Sequence, residues 1–273
     1  MPAEPIGSGA PEGSPAAHPP FFFIHVMKAA GTTFRSHLQA NFPNGGVYPD
    51  VQRDIDVEES ERTTFNPNSL KPTLQAMLLS YVLVEQLLSV APERRKEIRA
   101  YAGHFPYVVT EQLGLDLVTL TTLRHPVART LSYLRMNKRL DPFRDASLDE
   151  IYDHAENFEM FIHNHQTKVF SITEADHVVC VMDTIAIDDS RLALAKENLA
   201  KVDVVGLAER FDGFLDEVHR RYGLVIGDVP DGNVGEGDWP VSDALRRRIE
   251  EDNRADMELY EFACELVAER AHA

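Results

Sequence analysis

Two apolar spacings alternate along the chain. Residues 21–26 (FFFIHV) are a run of strand-forming side chains in which only His25 is polar. Residues 117–123 (LVTLTTL) form a second, β-branched run, and residues 98–102, 177–181 and 202–205 form shorter ones. Helical spacing fills much of the rest, predicting helices over 33–41, 71–90, 127–138, 147–155, 156–169, 190–200 and 211–222. A long charged helix over 241–270 would bury Leu245, Ile249, Leu259, Tyr260, Ala263 and Val267. In the 71–90 segment, Leu74, Met77, Leu78, Tyr81, Val84, Leu87 and Leu88 make a stripe best read as core. A stretch rich in Pro, Asn and Gly, residues 42–68, predicts a loop. No internal repeat interrupts this alternation. Strands followed by helices predict an α/β fold with a mainly parallel central sheet flanked by helices.

Candidate chemistry sits where two strands run into helices. Beyond Val26 come Lys28-Ala29-Ala30-Gly31-Thr32-Thr33, a tight loop of small residues opening a helix. Small side chains let backbone N–H groups approach an anion, a helix N-terminus adds partial positive charge, and Lys28 adds a full one. The geometry suits a phosphate. It is not a Walker A loop, because no G-x-x-x-x-G-K-[ST] is present and the lysine precedes the glycine. The 117–123 run ends at Arg124-His125-Pro126, with Pro126 suited to a first helical turn. Arg124, Arg129 and Ser132 follow with the spacing R-x-P-x-x-R-x-x-S. A guanidinium fork matches a phosphate, and a serine hydroxyl adds one donor. Arg129 shares the helical side of Ser132, and either a cofactor contact or a surface salt bridge accounts for it. Between the two junctions, Tyr101-Ala102-Gly103-His104 closes the 98–102 run. A neutral imidazole there could be a core or strand-end histidine, or a base, and its place between two anion-binding elements favours a base.

The order of these elements resembles that of sulfotransferases using 3′-phosphoadenosine-5′-phosphosulfate (PAPS). K-x-x-G-T-T after a strand is similar to their 5′-phosphosulfate loop, and R-x-P-x-x-R-x-x-S-Y to their 3′-phosphate element. FIHVMKAAGTTF looks most like the carbohydrate (type 2) branch, in a bacterial-type soluble form. The resemblance implies a fold like that of P-loop nucleotide kinases over residues 21–273. It implies PAPS as co-substrate, 3′,5′-ADP as product and no metal. It also implies cofactor binding by Lys28, Ala29, Ala30, Gly31, Thr32, Thr33, Arg124 and Ser132, with Lys28 also stabilising the leaving phosphate. The family's Y-x-G-H histidine is the proposed base, which here is His104. Asn164-His165-Gln166-Thr167 falls where relatives carry N-x-Q-T, and the stretches 195–199 and 204–211 are similar to the family's later segments. The implied reaction moves a sulfuryl group to a hydroxyl of a carbohydrate, glycolipid or small molecule. Two other classes stay open: a kinase-like phosphotransferase, which would want Ser or Thr after the loop lysine where Ala29 stands, and a non-catalytic nucleotide-binding member.

Charge narrows the partners. The formal net charge is −17, which disfavours nucleic acid, anionic membrane surfaces and heavily sulfated acceptors. A polyanionic nucleotide then needs a locally positive site, and Lys28, Arg124 and Arg129 are its sources. Residues 1–20 are rich in Pro, Gly, Ala and Ser, lack signal-peptide character and read as a disordered tail. No apolar stretch is long enough to span a bilayer, so a cytoplasmic protein without stable membrane insertion is expected. Cys180 and Cys264 make no disulfide framework. His154, His163 and His165 read as surface or packing histidines, since positions two apart on a helix diverge. Asp188-Asp189 reads as a helix N-cap.

Overall fold

A computed structural model describes residues 17–50, 53–54, 83–178, 180–227 and 239–271. Five strands form one all-parallel sheet in the order β2-β3-β1-β4-β5. They are β1 (Phe21–Ile24), β2 (Val47–Tyr48), β3 (Ala100–Tyr101), β4 (Val118–Leu123) and β5 (Val204–Leu207). Strand β1 lies at the centre, with β3 on one side and β4 on the other. The helices are α1 (Gly31–Asn41), α2 (Val84–Leu88), α3 (Pro92–Glu97), α4 (Val108–Gln112), α5 (Pro126–Asn137), α6 (Leu148–Tyr152), α7 (His165–Ser171), α8 (Asp189–Lys201), α9 (Phe211–Tyr222), α10 (Asp243–Asp252) and α11 (Arg254–Ala271).

Period-two alternation explains how β1 is covered. Phe21 and Phe23 join Phe34 and Leu38 of α1 and Phe214, Leu215 and Val218 of α9. Phe22 and Ile24 face the other way, toward Val169 and Phe170 of α7, Ala195 and Leu199 of α8, and Leu259 and Ala263 of α11. All four β1 side chains are fully buried, and burying each contributes about 1.5–3 kcal/mol. A strand apolar on both faces is what a helix-covered parallel sheet requires. Helix α5 heads a third apolar cluster with α6 and α10, through Val127, Leu131, Leu134, Ile151, Leu245 and Ile249.

Several expected boundaries move. Strand β1 ends at Ile24 rather than Val26, because Val26 N–H turns back to the Ile24 carbonyl (3.2 Å) and leaves the ladder. Strand β3 keeps only Ala100–Tyr101 of the expected 98–102, although Arg99 and Ala102 still donate to Gly46 and Tyr48 carbonyls (both 2.8 Å). Strand β2 lies inside the expected 42–68 loop, and two residues are too few to show a period. No strand forms among the described residues of 177–181: His177 is left-handed (φ 51°), and Cys180 N–H turns to Asp183 Oδ2 (3.3 Å). The expected helix 156–169 divides into a single turn, Ala155–Asn157, a π-helical turn, Phe158–Ile162, and α7, with left-handed Asn164 (φ 45°) between the last two. The expected long helix 241–270 breaks at Asn253, whose Nδ2 donates to Ile249 O (2.8 Å) and whose Oδ1 accepts from Asn164 N–H (2.8 Å). That one amide closes both breaks. Of the expected helix 71–90, residues 71–82 lie outside the described residues, as do residues 1–16 of the expected tail.

Candidate anion-binding site

Three of the sequence's candidate elements lie on adjacent strands, at their C-terminal ends. The 25–30 loop follows β1, His104 follows β3, and Arg124 follows β4. Hydrogen bonds tie these ends together. Thr122 of β4 donates its hydroxyl to the Ala29 carbonyl, and Arg124 Nη1 donates to the Lys28 carbonyl (3.3 Å). His104 Nδ1 meets the His25 carbonyl at 2.9 Å.

Lys28 (φ 64°) and Ala30 (φ 67°) both adopt the left-handed region, which costs non-glycine residues about 1–3 kcal/mol each and clusters at functional sites. Ala30 is the N-cap of α1, with no side-chain cap bond and no acidic residue in the first turn. The helix's positive end is therefore not neutralised by its own sequence. Thr32 is exposed and Thr33 half-buried in that first turn. A Cβ at Gly31 would lie 1.9 Å from His25 Cδ2, so any side chain there forces the His25 ring to move. Lys28 Nζ also lies 3.7 Å from Met136 Sδ of α5.

Beneath the loop, the rings of His25 and His104 lie 4.1 Å apart at their centroids, tilted by 31°. Burial, then the neighbouring His104, Arg35 and Lys28, push His25 well below the usual imidazole range. Burial also pushes His104 down to about 4, opposed by its bond to the His25 carbonyl and reinforced by Arg35 and Lys28. A carbonyl oxygen only accepts, so His104 Nδ1 carries the proton there, and Nε2 keeps the lone pair of a neutral imidazole. His104 is partly exposed.

Arg35 escaped the sequence analysis. Its guanidinium donates to the Ala102 and Pro49 carbonyls, just beyond β3 and β2, and so pins α1 to that edge of the sheet. It is 7% exposed, and burial lowers it to about 10 against the pull of Asp50 and Asp54. The signal was present: Arg35 follows Gly31 and Phe34 and precedes Leu38 within one buried stripe.

Gln166 was matched only by pattern, and its position in space is informative. Its Oε1 accepts from Arg124 N–H (3.0 Å), and its Nε2 donates to the Arg124 carbonyl (2.9 Å). One side-chain amide thus pairs both backbone groups of Arg124 where β4 ends. Asp188 caps α8, as expected, by accepting from Arg191 N–H (2.9 Å).

Other assignments change. Arg129 makes no surface salt bridge, since it is fully buried and donates to the Phe161 and Ile162 carbonyls (3.0 and 2.9 Å). Those bonds, made at the π-helical turn, give it a structural task. His165 is fully buried in packing, and burial holds it well below the usual range, whereas His163 stacks on Phe158. Ser132 lies two turns into α5 and is 4% exposed; among the described residues no hydrogen bond ties it to Lys28 or Arg124. A cavity of about 430 Å³ opens beside Pro106 and Val108, and Lys28, His104, Arg124 and Ser132 are not among its lining residues.

Among the described residues, no group of three or more His, Cys, Asp or Glu is placed to hold a metal ion, and no helix is long and apolar enough to cross a membrane. The chain matches no protein-family model, and a search of curated proteins finds no match either.

Proposed function

We propose that the protein is a PAPS-dependent sulfotransferase with a P-loop-kinase-like sulfotransferase fold, acting on a hydroxyl of a carbohydrate, glycolipid or small molecule. The observation that carries this reading is the convergence of the uncapped α1 N-terminus, Lys28, Arg124 and a neutral His104 at neighbouring strand ends. In open parallel sheets, ligands bind at the carboxyl ends of strands. The cluster is cationic in a chain of net charge −17, as a polyanionic co-substrate requires.

In this reading the 28–33 loop and Lys28 receive the 5′-phosphosulfate, and Arg124 with Ser132 receives the 3′-phosphate. The acceptor hydroxyl attacks sulfur. Its O–S bond forms as the bond from sulfur to the bridging phosphate oxygen breaks. The hydroxyl proton passes to His104 Nε2, and the electron pair of the breaking bond stays on 3′,5′-ADP. Lys28 and the loop N–H groups stabilise that growing charge. A base at about 4 is weak in the free protein. Burial is the largest cause of that low value and Arg35 and Lys28 add to it; a bound polyanion offsets those two charges and so raises the basicity of His104 when substrate is present. The acidic surface favours an uncharged or weakly charged acceptor.

Calorimetry with 3′,5′-ADP, set against ADP or ATP with Mg²⁺, tests the nucleotide class. Tighter binding of 3′,5′-ADP supports the proposal, and preference for ATP would replace it with phosphoryl transfer. Acceptor screening with labelled PAPS then tests turnover, and activity confined to highly sulfated polymers would overturn the acceptor class.

A further inference from the structure

The C-terminal helix reaches the candidate site through two relays that start one turn apart. Asp256 and Tyr260 lie four residues apart on α11 and so share a face. Asp256 is fully buried; its Oδ2 accepts from Gln166 N–H (3.1 Å) and its Oδ1 from Thr167 N–H (2.7 Å), holding the first turn of α7. Gln166, itself fully buried, then pairs both backbone groups of Arg124. Tyr260 donates its hydroxyl to Glu209 Oε2 (2.9 Å), and Glu209 Oε1 accepts from His125 N–H (3.0 Å). The Tyr260 ring also meets the His125 ring edge-on at 5.4 Å. Arg124 and His125 are the two residues between the end of β4 and the start of α5. There the parallel ladder has stopped and the helix has not begun, so their N–H groups need partners from elsewhere. Side chains held by α11 supply them.

We propose that Gln166, held by Asp256, and Glu209, held by Tyr260, are positioning residues that fix the Arg124-His125 corner for anion binding. The proposal rests on the reading of Arg124 as a phosphate ligand. It assigns a functional task to a C-terminal helix that carries none of the candidate ligands. Of the two relays the Gln166 one is the stronger, because it is buried, whereas Glu209 is exposed and its bonds compete with water.

The test uses the full chain and two readouts. Amide hydrogen exchange at Arg124 and His125 needs no ligand, and 3′,5′-ADP affinity reports the site. Gln166→Met keeps the side chain's length and removes both bonds. It should speed exchange at Arg124 and weaken 3′,5′-ADP by about tenfold each, with exchange in the rest of β4 unchanged. Glu209→Leu should speed exchange at His125 and weaken binding by about two- to threefold, whereas Glu209→Gln, which keeps an acceptor oxygen, should restore both. Tyr260→Phe keeps the ring against His125 and should give an intermediate effect. Unchanged exchange at both amides, or loss of protection spread evenly over β4, would overturn the proposal. A parent protein that binds no 3′,5′-ADP would overturn the functional reading instead, and the exchange data would still decide whether α11 holds the corner.

Discussion

Gly31→Ala is a direct test of the packing beneath the loop. The backbone at Gly31 is not in the left-handed region, and alanine is the better helix former, so local conformation alone predicts a neutral or slightly stabilising change. Packing predicts the opposite. The new Cβ would lie 1.9 Å from His25 Cδ2 and 2.1 Å from Nε2, where no carbon can sit, so the ring must move. His25 has little room, being 8% exposed with the His104 ring 4.1 Å away. Overpacking of this kind costs about 1–3 kcal/mol. In a chain of this size that corresponds to about 2–4 °C in Tm per kcal/mol. A double-mutant cycle isolates the clash: in a His25→Ala background the methyl has space, and most of the cost should vanish as a coupling of about 1 kcal/mol or more. The assay is urea unfolding of the four proteins, with 3′,5′-ADP binding measured in parallel. Equal destabilisation in both backgrounds would refute the reasoning, and so would a Gly31→Ala protein as stable as the parent.

Arg124→Ala should lose at least tenfold in 3′,5′-ADP affinity, since it removes a charge-assisted contact; unchanged calorimetric affinity would remove Arg124 from the site. His104→Ala should lower turnover by about 10²–10⁴-fold while still binding 3′,5′-ADP, and a near-normal rate would exclude it as the base. Because His104 is held at about 4 in the fold, against an ordinary 6.5, its neutral form stabilises the native state above about pH 6.5. That contribution should fall away as pH drops toward about 4, visible as a falling urea midpoint that His104→Ala lessens. NMR titration should find the His104 pKa raised by 3′,5′-ADP, and a lower value on binding would contradict the electrostatic argument. Arg129→Leu strands the buried Ile162 carbonyl and the part-buried Phe161 carbonyl and should cost about 2–6 kcal/mol in urea unfolding, from roughly 1–3 kcal/mol for each lost partner.

Local pattern carried much of this protein. The apolar runs at 21–26 and 117–123 were legible as strands because a parallel strand covered on both faces must be apolar throughout. The small-residue loop, the proline at the start of α5 and the Asp188 cap were legible because backbone chemistry dictates residue type at such points. Hence Lys28, Gly31, His104 and Arg124 could be named from the sequence as candidates. Their assembly could not, because periodicity reports only which face a residue takes. His104 meets His25 across 79 residues of chain, Gln166 pairs with Arg124 across 42, and Asp256 reaches Gln166 across 90. The first contact follows from β3 lying beside β1, and the other two from the packing of α7 on the end of β4 and of α11 on α7, non-local choices that no short window contains. Contacts between helices likewise bury Arg129 against the 158–162 turn rather than leaving it a surface charge, and accompany the break of the expected C-terminal helix at Asn253, beyond which Asp256 meets α7. The sequence by itself determined which groups are candidates to hold an anion. Tertiary structure decided which of them meet, which imidazole nitrogen keeps its lone pair, and which helix holds the corner, because burial and hydrogen bonding act between elements that only the folded sheet brings together.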